Sequence, residues 1–336
     1  MDWTFILSQT ATALLWPYAI WYVLGAQGLN FHYGYTGLFN FGQAGFMAAG
    51  AYGLAITATP ESKGGYGLPL WVGLIVGLVT PVLLGLIMGI PTLRLRGDYL
   101  AIVTIATSEI IRLVLRSEKL EGFSGGNSGM NGFAGSFYDA NPFDNGHRYK
   151  FGPFEYLGKD LWVMLIGWTV VALVVLLTWA LMRSPWGRVL RSIRENEDAV
   201  RALGKNVFAY KMQSLVLGGV IGALGGMVLA LWQNLASPDD YGTKATFIAY
   251  TALILGGAGR VFGPVVGGML FSGLFTFVSR FAGEAVKAGI IPKSIMDDVQ
   301  AGVVPFMFLG LFLMLLVIFR PQGIFGNRRE IELDAR

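Results

Sequence analysis

The chain has 336 residues, 54% of them hydrophobic, with only 14% charged and a mean hydropathy of +0.56, whereas about a quarter of an ordinary soluble domain is charged. Its apolar runs are continuous and several reach the roughly 20 residues that a helix needs to cross a bilayer, which excludes both a soluble enzyme and an alternating β-barrel. There is no cysteine, and the two histidines, His32 and His147, lie far apart in probable loops, so disulfides, thiolate chemistry and a histidine metal site are excluded, while the net charge of +4 fits basic cytoplasmic loops better than nucleic-acid binding.

The sequence therefore predicts an all-α, polytopic transmembrane helical bundle of about nine spans (eight to ten), in one domain over 1–336. The apolar segments are 5–29, 38–58, 70–91, 98–116, 160–182, 211–232, 245–258, 262–282 and 300–319. The first is expected to remain as a span, because no basic residue precedes it and no small-x-small site ends it. The 245–258 segment is short, and Gly256-Gly257-Ala258-Gly259 allows it to be a half-span. Glycines punctuate the second, sixth and eighth segments at spacings of three or four, the pattern that lets helices in lipid approach closely. GLFNFG and FGPVVGG share too few identities to define an internal repeat.

Loop charge sets the expected orientation. From Arg183 to Lys211 there are seven basic residues against three acidic ones, while the 117–159 connection is more acidic than basic. The positive-inside rule then places the 183–210 loop, Arg94 and Arg96, Arg260 and the 320–336 tail in the cytoplasm. The N-terminus and the 117–159 loop face outward.

Ser184 to Gly204 reads as one amphipathic helix. Ser184 is a suitable N-cap, Pro185 occupies the first helical position and Gly204 suits the C-terminal end. Val189, Ile193, Val200 and Leu203 fall on one side and Arg188, Arg191, Arg194, Asp198 and Arg201 on the other. A basic helix could simply lie on anionic headgroups. The interleaved Glu195, Glu197 and Asp198 weaken that attraction and suit a protein partner. Val189, Ile193 and Leu203 are expected to pack on the membrane domain, with the arginine face turned to the partner.

Motifs for chemistry are missing. There is no G-x-x-x-x-G-K-[ST] loop, the glycines of GGAGRVFG fail the dinucleotide spacing, and no Ser/His/Asp set exists, so no nucleotide hydrolysis, catalysis or cofactor is expected of this chain. One ionisable group lies deep: Glu109 falls roughly 18 Å along the 98–116 helix, with Thr104, Thr107 and Ser108 nearby and Arg112 three residues on. It either pairs with Arg112 to hold the bundle or lines a solute path. A self-sufficient ion-coupled transporter would need it in the second role.

Six stretches in register resemble the permease subunit of branched-chain amino acid ABC importers, the LivM type. They are Gly34-Tyr35-Thr36-Gly37-Leu38-Phe39-Asn40-Phe41-Gly42-Gln43-Ala44-Gly45-Phe46, Arg94-Leu95-Arg96-Gly97-Asp98-Tyr99-Leu100-Ala101-Ile102, Gly125-Gly126-Asn127-Ser128-Gly129 (with Ser124 for the usual Thr), the 184–204 segment (Ser192 and Val200 depart), Ile254-Leu255-Gly256-Gly257-Ala258-Gly259 and Arg320-Pro321-Gln322-Gly323-Ile324-Phe325-Gly326. A related urea or amide permease family shares much of this layout. The resemblance implies a permease in a bacterial cell membrane that pairs with a second, similar permease, is driven by two cytoplasmic ABC ATPases, and receives its solute from an extracytoplasmic binding protein. It implies that Arg188, Arg191, Arg194, Glu195, Glu197, Asp198, Arg201 and Gly204 belong to a coupling helix seated on an ATPase. The candidate translocation path comprises Asn40, Gln43, Tyr99, Thr104, Ser108 and Glu109.

Overall fold

The structure is a computed structural model, and it describes residues 2–95, 97–152, 154–290, 300, 302–320 and 323–325. Most of the chain is helical: α1 (Trp3–Ala13), α2 (Pro17–Leu29), α3 (Gln43–Ala58), α4 (Leu70–Thr92), α5 (Gly97–Arg116), the short α6 (Glu121–Ser124) and α7 (Gly135–Asp139), α8 (Gly158–Arg183), α9 (Pro185–Glu195), α10 (Glu197–Ala202), α11 (Val207–Gln233), α12 (Thr243–Gly256), α13 (Gly263–Lys287) and α14 (Val304–Phe319). Four small strands complete it: β1 (Met130–Asn131) pairs antiparallel with β4 (Leu235–Ala236), and β2 (Arg148–Phe151) with β3 (Phe154–Leu157). Among the described residues four helices, α4, α8, α11 and α13, are each long and apolar enough to cross a membrane, and α12 and α14 are shorter apolar helices.

Three expected boundaries move, each for a local reason. The 5–29 segment is two helices, because Pro17 cannot continue a helix from Trp16, whose ψ of 156° is extended. The 38–58 segment becomes helical only at Gln43. Its predecessor α2 runs on instead into a π-helical stretch, Asn30–Tyr35, which contains His32. His32 is fully buried, not in a loop: one ring nitrogen bonds the Leu215 carbonyl at 2.9 Å and the other the Asn40 amide at 2.9 Å.

The core is the contact of α2 and α3 with α11, and close approach rather than hydrophobic transfer holds it, since lipid tails are as apolar as leucine. At the α2–α11 crossing, a Cβ on Gly28 would run into the Gly218 carbonyl, and one on Gly218 into the Gly28 carbonyl. Polar groups inside the core bond one another: Gln27 donates to Thr178 at 3.0 Å, and the Thr36 and Ser214 hydroxyls, 2.7 Å apart, each lie 2.8 Å from the Phe31 carbonyl, so their two protons are shared among these three oxygens. By contrast α4 and α5 leave large apolar side chains such as Ile87, Ile102 and Ile110 uncovered, as a lipid- or subunit-facing surface does.

The 26 residues of α8 span about 39 Å and separate the two ends of the bundle. One end carries the β2–β3 hairpin and the β1–β4 pair. The other gathers α9, α10, the Arg94 turn and the Gly257–Phe262 turn, so the basic loops share one end. Gly323–Phe325 joins them, with Ile324 and Phe325 donating to the Leu255 and Gly256 carbonyls. Arg96 and most of the 320–336 tail lie outside the described residues.

Candidate functional site

At the basic end, the 184–204 segment folds as two helices rather than one. Asn196 adopts an extended conformation (φ −156°, ψ 101°), ends α9, and caps α10 by accepting the Ala199 N–H at 2.9 Å. A side chain that satisfies an orphan N–H at the start of a new helix competes with continuing the old one. The break turns α10. Ile193, Val200 and Val207 then form a small buried cluster with Val189 and Tyr210, whereas Leu203 swings outward and is 78% exposed. The expected packing of Val189 and Ile193 holds, and that of Leu203 does not. Gly204 follows at φ +73°, where a side chain would strain the backbone.

The arginines divide their work. Arg191 donates to the Met182 carbonyl at 2.9 Å, closing the α8–α9 corner. Arg194 donates to the Gly34 carbonyl at 2.7 Å, inside the π-helical stretch that ends α2. Asn30, four residues earlier, donates to the Arg260 carbonyl and accepts the Gly259 N–H, each at 2.8 Å. Thus the α9 surface, the end of α2 and the α12–α13 turn are tied by backbone-directed bonds. They border a cavity of about 580 Å³ whose lining includes Arg191, Arg194, Glu195, Trp179 and Phe262. Part of each guanidinium is thus committed to this chain. Arg201 pairs with Glu197 (2.6 Å) and Asp198 (3.5 Å), and Lys211 reaches Glu197 as well. Arg188, by contrast, is exposed, with no side-chain partner among the described residues.

Most of the candidate path residues pack against neighbouring helices of this chain. Asn40 is fully buried, holds His32 and accepts the Gly42 N–H. Gln43 is fully buried and donates to the Gly218 carbonyl at 3.2 Å, bridging α3 to α11. Thr104 accepts the Phe41 N–H, and Ser108 packs against Gly45, so this face of α5 is a helix contact with α3. Tyr99 is 67% exposed on the surface. Small polar residues on helices serve close packing as readily as they serve a pore, and here they pack.

Glu109 is likewise committed. One carboxylate oxygen accepts Arg112 Nε at 2.8 Å; the other accepts the Thr243 N–H at 2.9 Å and its hydroxyl at 2.5 Å. Arg112 and Arg116 both reach Asp239, at 3.4 and 3.3 Å. The carboxylate sits at the N-terminus of α12, where the helix dipole favours negative charge. The pair with Arg112 that the first of the two sequence readings expected is present.

The opposite end holds a larger cavity of about 840 Å³, between α1, α2, α13, the β2–β3 hairpin and the turn Pro238–Tyr241. It was not foreseen. Its aromatic residues come from five separate stretches of chain, and only the dense run Trp16-Pro17-Tyr18-Ala19-Ile20-Trp21-Tyr22 could have signalled it.

The chain is a multi-pass helical bundle that carries a charged two-helix element at one end. A family model described as "branched-chain amino acid transport system / permease component" matches residues 12–319, and the chain belongs to that family. It is 27% identical over 347 aligned residues to the high-affinity branched-chain amino acid transport system permease protein LivM of Salmonella typhimurium, covering 99% of this chain and 74% of that one. It is 26% identical to the probable branched-chain amino acid transport permease protein LivM of Methanocaldococcus jannaschii, covering 94% of this chain and 92% of the relative. Among solved structures, PsaBC of Streptococcus pneumoniae in complex with a Fab aligns over 96% of this chain and 94% of its own at 16% identity, with a TM-score of 0.40. The chain is a multi-pass membrane protein, and its relatives are transport components rather than enzymes.

Proposed function

We propose that this chain is the transmembrane permease subunit of an ABC importer for branched-chain amino acids. It works beside a second permease of the same kind, with two cytoplasmic ATPases and an extracytoplasmic binding protein that delivers the solute. One observation carries this reading: α9–α10 is a folded element fixed to the core by Arg191 and Arg194, yet it leaves Arg188 and Leu203 facing away from its own chain. An exposed leucine beside charge at the basic end suits a protein partner, and the family's relatives name the transport system.

The basic end is then cytoplasmic by the positive-inside rule. Closure of the ATPase pair on ATP moves α9. The Arg194–Gly34 bond passes that movement to the π-helical end of α2, which lies in the core. π-helical turns are rare and cluster at functional sites, so this stretch is a suitable place for the bundle to yield. Access alternates between preformed states that the loaded binding protein and ATP bias. A urea or amide solute is the alternative cargo; an ion-coupled transporter is disfavoured because Glu109 is committed to α12.

The test is reconstitution of the co-purified complex in proteoliposomes. Uptake of leucine that needs ATP and the binding protein, with urea not competing, is expected. Leucine uptake by the isolated chain on an ion gradient would overturn the reading.

A further inference from the structure

The 840 Å³ cavity lies at the end opposite α9–α10, and its volume is within the ~300–1,000 Å³ typical of small-molecule sites. Its wall is aromatic. Tyr18 meets Trp232 edge-on at 4.9 Å, Trp16 stacks on Tyr156 at 5.7 Å, and Trp21 lies 5.2 Å from Tyr22. Membrane proteins carry aromatic belts at the lipid interface, but Trp21 and Tyr22 are each only 7% exposed and face into the bundle. The Trp21 indole N–H has no acceptor among the described residues, and a buried donor left unmatched is costly unless something else fills its place.

Charges of both signs line the same space. Asp240, in the turn Pro238–Tyr241, is half-buried, and its carboxylate accepts no side-chain hydrogen bond among the described residues. Burial, and then the neighbouring Asp239, push its pKa up, so a cation placed there would be welcome. Lys244 and Arg280 supply positive charge. Lys244 stands in the first turn of α12, where the helix dipole opposes a cation, and its ammonium lies 3.3 Å over the Phe306 ring. Asp240 and Lys244 sense each other's charge without forming one of the described ion pairs. The cavity thus has several carboxylates and basic groups in its lining beside an aromatic wall, and among them Asp240 is a carboxylate without a described side-chain partner.

We propose that this cavity is a solute vestibule within the single permease chain, taking an amino-acid zwitterion with its ammonium on Asp240, its carboxylate on Lys244 and Arg280, and its aliphatic side chain against Trp21 and Tyr22. The proposal rests on the amino-acid importer reading. The ammonium also gains from the ring faces, and the aliphatic side chain leaves water for an apolar surface. A phosphatidylethanolamine headgroup carries the same pair of charges, so lipid is the rival source of this chemistry.

The test uses the full complex in nanodiscs of phosphatidylglycerol alone, and measures binding of radiolabelled L-leucine to the permease in the absence of the binding protein. Saturable binding is expected, displaced by valine but not by isovalerate or isoamylamine, which each lack one charge. Asp240→Asn and Lys244→Gln should each weaken it about tenfold, as loss of a charged hydrogen bond does. Leucine should also change the tryptophan fluorescence in the wild type and less so in Trp21→Phe. No saturable binding, wild-type affinity in both charge variants, or displacement of leucine by added phosphatidylethanolamine overturns the site. ATP-dependent uptake by the same complexes in proteoliposomes, with the binding protein present, separates the two claims. Uptake that persists while the site fails leaves the importer reading standing, whereas a wild-type complex that moves no leucine removes that reading itself.

Discussion

Two groups of charges stand apart in this largely apolar chain, and they are used differently. In the Glu109 cluster both carboxylate oxygens are occupied, and Arg112 and Arg116 share Asp239, so the charges are spent on joining α5 to the start of α12. In α9–α10 the bonds from Arg191 and Arg194 fix the element to its own core, while Arg188 and Leu203 are left outside it. An ionisable residue deep in a membrane helix invites a functional reading. The comparison teaches that the better question is which partners remain unspent.

The comparison is broken most forcefully at Leu203. The double variant Leu203→Asp with Arg188→Glu should reduce recovery of the ATPase with the permease about tenfold or more, the scale of losing an interface anchor. The permease itself should keep its yield and helical circular dichroism. Recovery of the ATPase at the wild-type level would remove α9–α10 as the docking element.

Next comes Arg194→Gln. The side chain is exposed apart from its bond to the Gly34 carbonyl, so the stability cost should stay within about 1 kcal/mol. Solute stimulation of ATPase activity should fall about fivefold while basal activity is kept, in keeping with one lost charged bond. Stimulation unchanged with normal assembly would show that movement reaches the core by another route.

Glu109→Gln sharpens the other side. The amide oxygen can still accept from Thr243, and only the Arg112 pair is lost, so thermal unfolding in detergent should register a loss of about 1 kcal/mol. Uptake per assembled complex should remain within about twofold, a margin below 0.5 kcal/mol. A large loss of uptake with normal stability would return Glu109 to the solute path. The smallest effect is expected at Asp198→Asn: its carboxylate is 92% exposed and 3.5 Å from Arg201, and surface pairs of this kind contribute little, so assembly and unfolding should be unchanged.

What the sequence made legible was whatever depends on periodicity and composition. The all-α membrane class, the grouping of basic loops at one end and an amphipathic element after α8 could all be read from it, whereas the Ser184 hydroxyl, expected to cap α9, donates instead to the Leu181 carbonyl. Single-residue competition was not legible in the same way. Asn196 could equally sit within a helix or start one, and only the choice to cap Ala199 turns α10 and throws Leu203 outward. The Asn40 and Gln43 amides, placed near glycines, read as pore-lining, but their partners are the His32 ring and the Gly218 carbonyl, remote in sequence or presented by an unforeseen π-helical stretch. The aromatic cavity needed five distant pieces of chain to meet. Its first run, Trp16 to Tyr22, was visible, but its Asp240 and Lys244 had no local pattern to join them to it.

The most direct measurement of the central claim is site-specific crosslinking from α10 in the assembled, reconstituted complex. A photoreactive residue placed at Leu203 should join to the ATPase subunit in high yield, and the yield should change between the ATP-bound and nucleotide-free states. A residue at Leu203 that crosslinks only to lipid or to this chain, in a complex that still couples ATP hydrolysis to leucine uptake, would contradict the account.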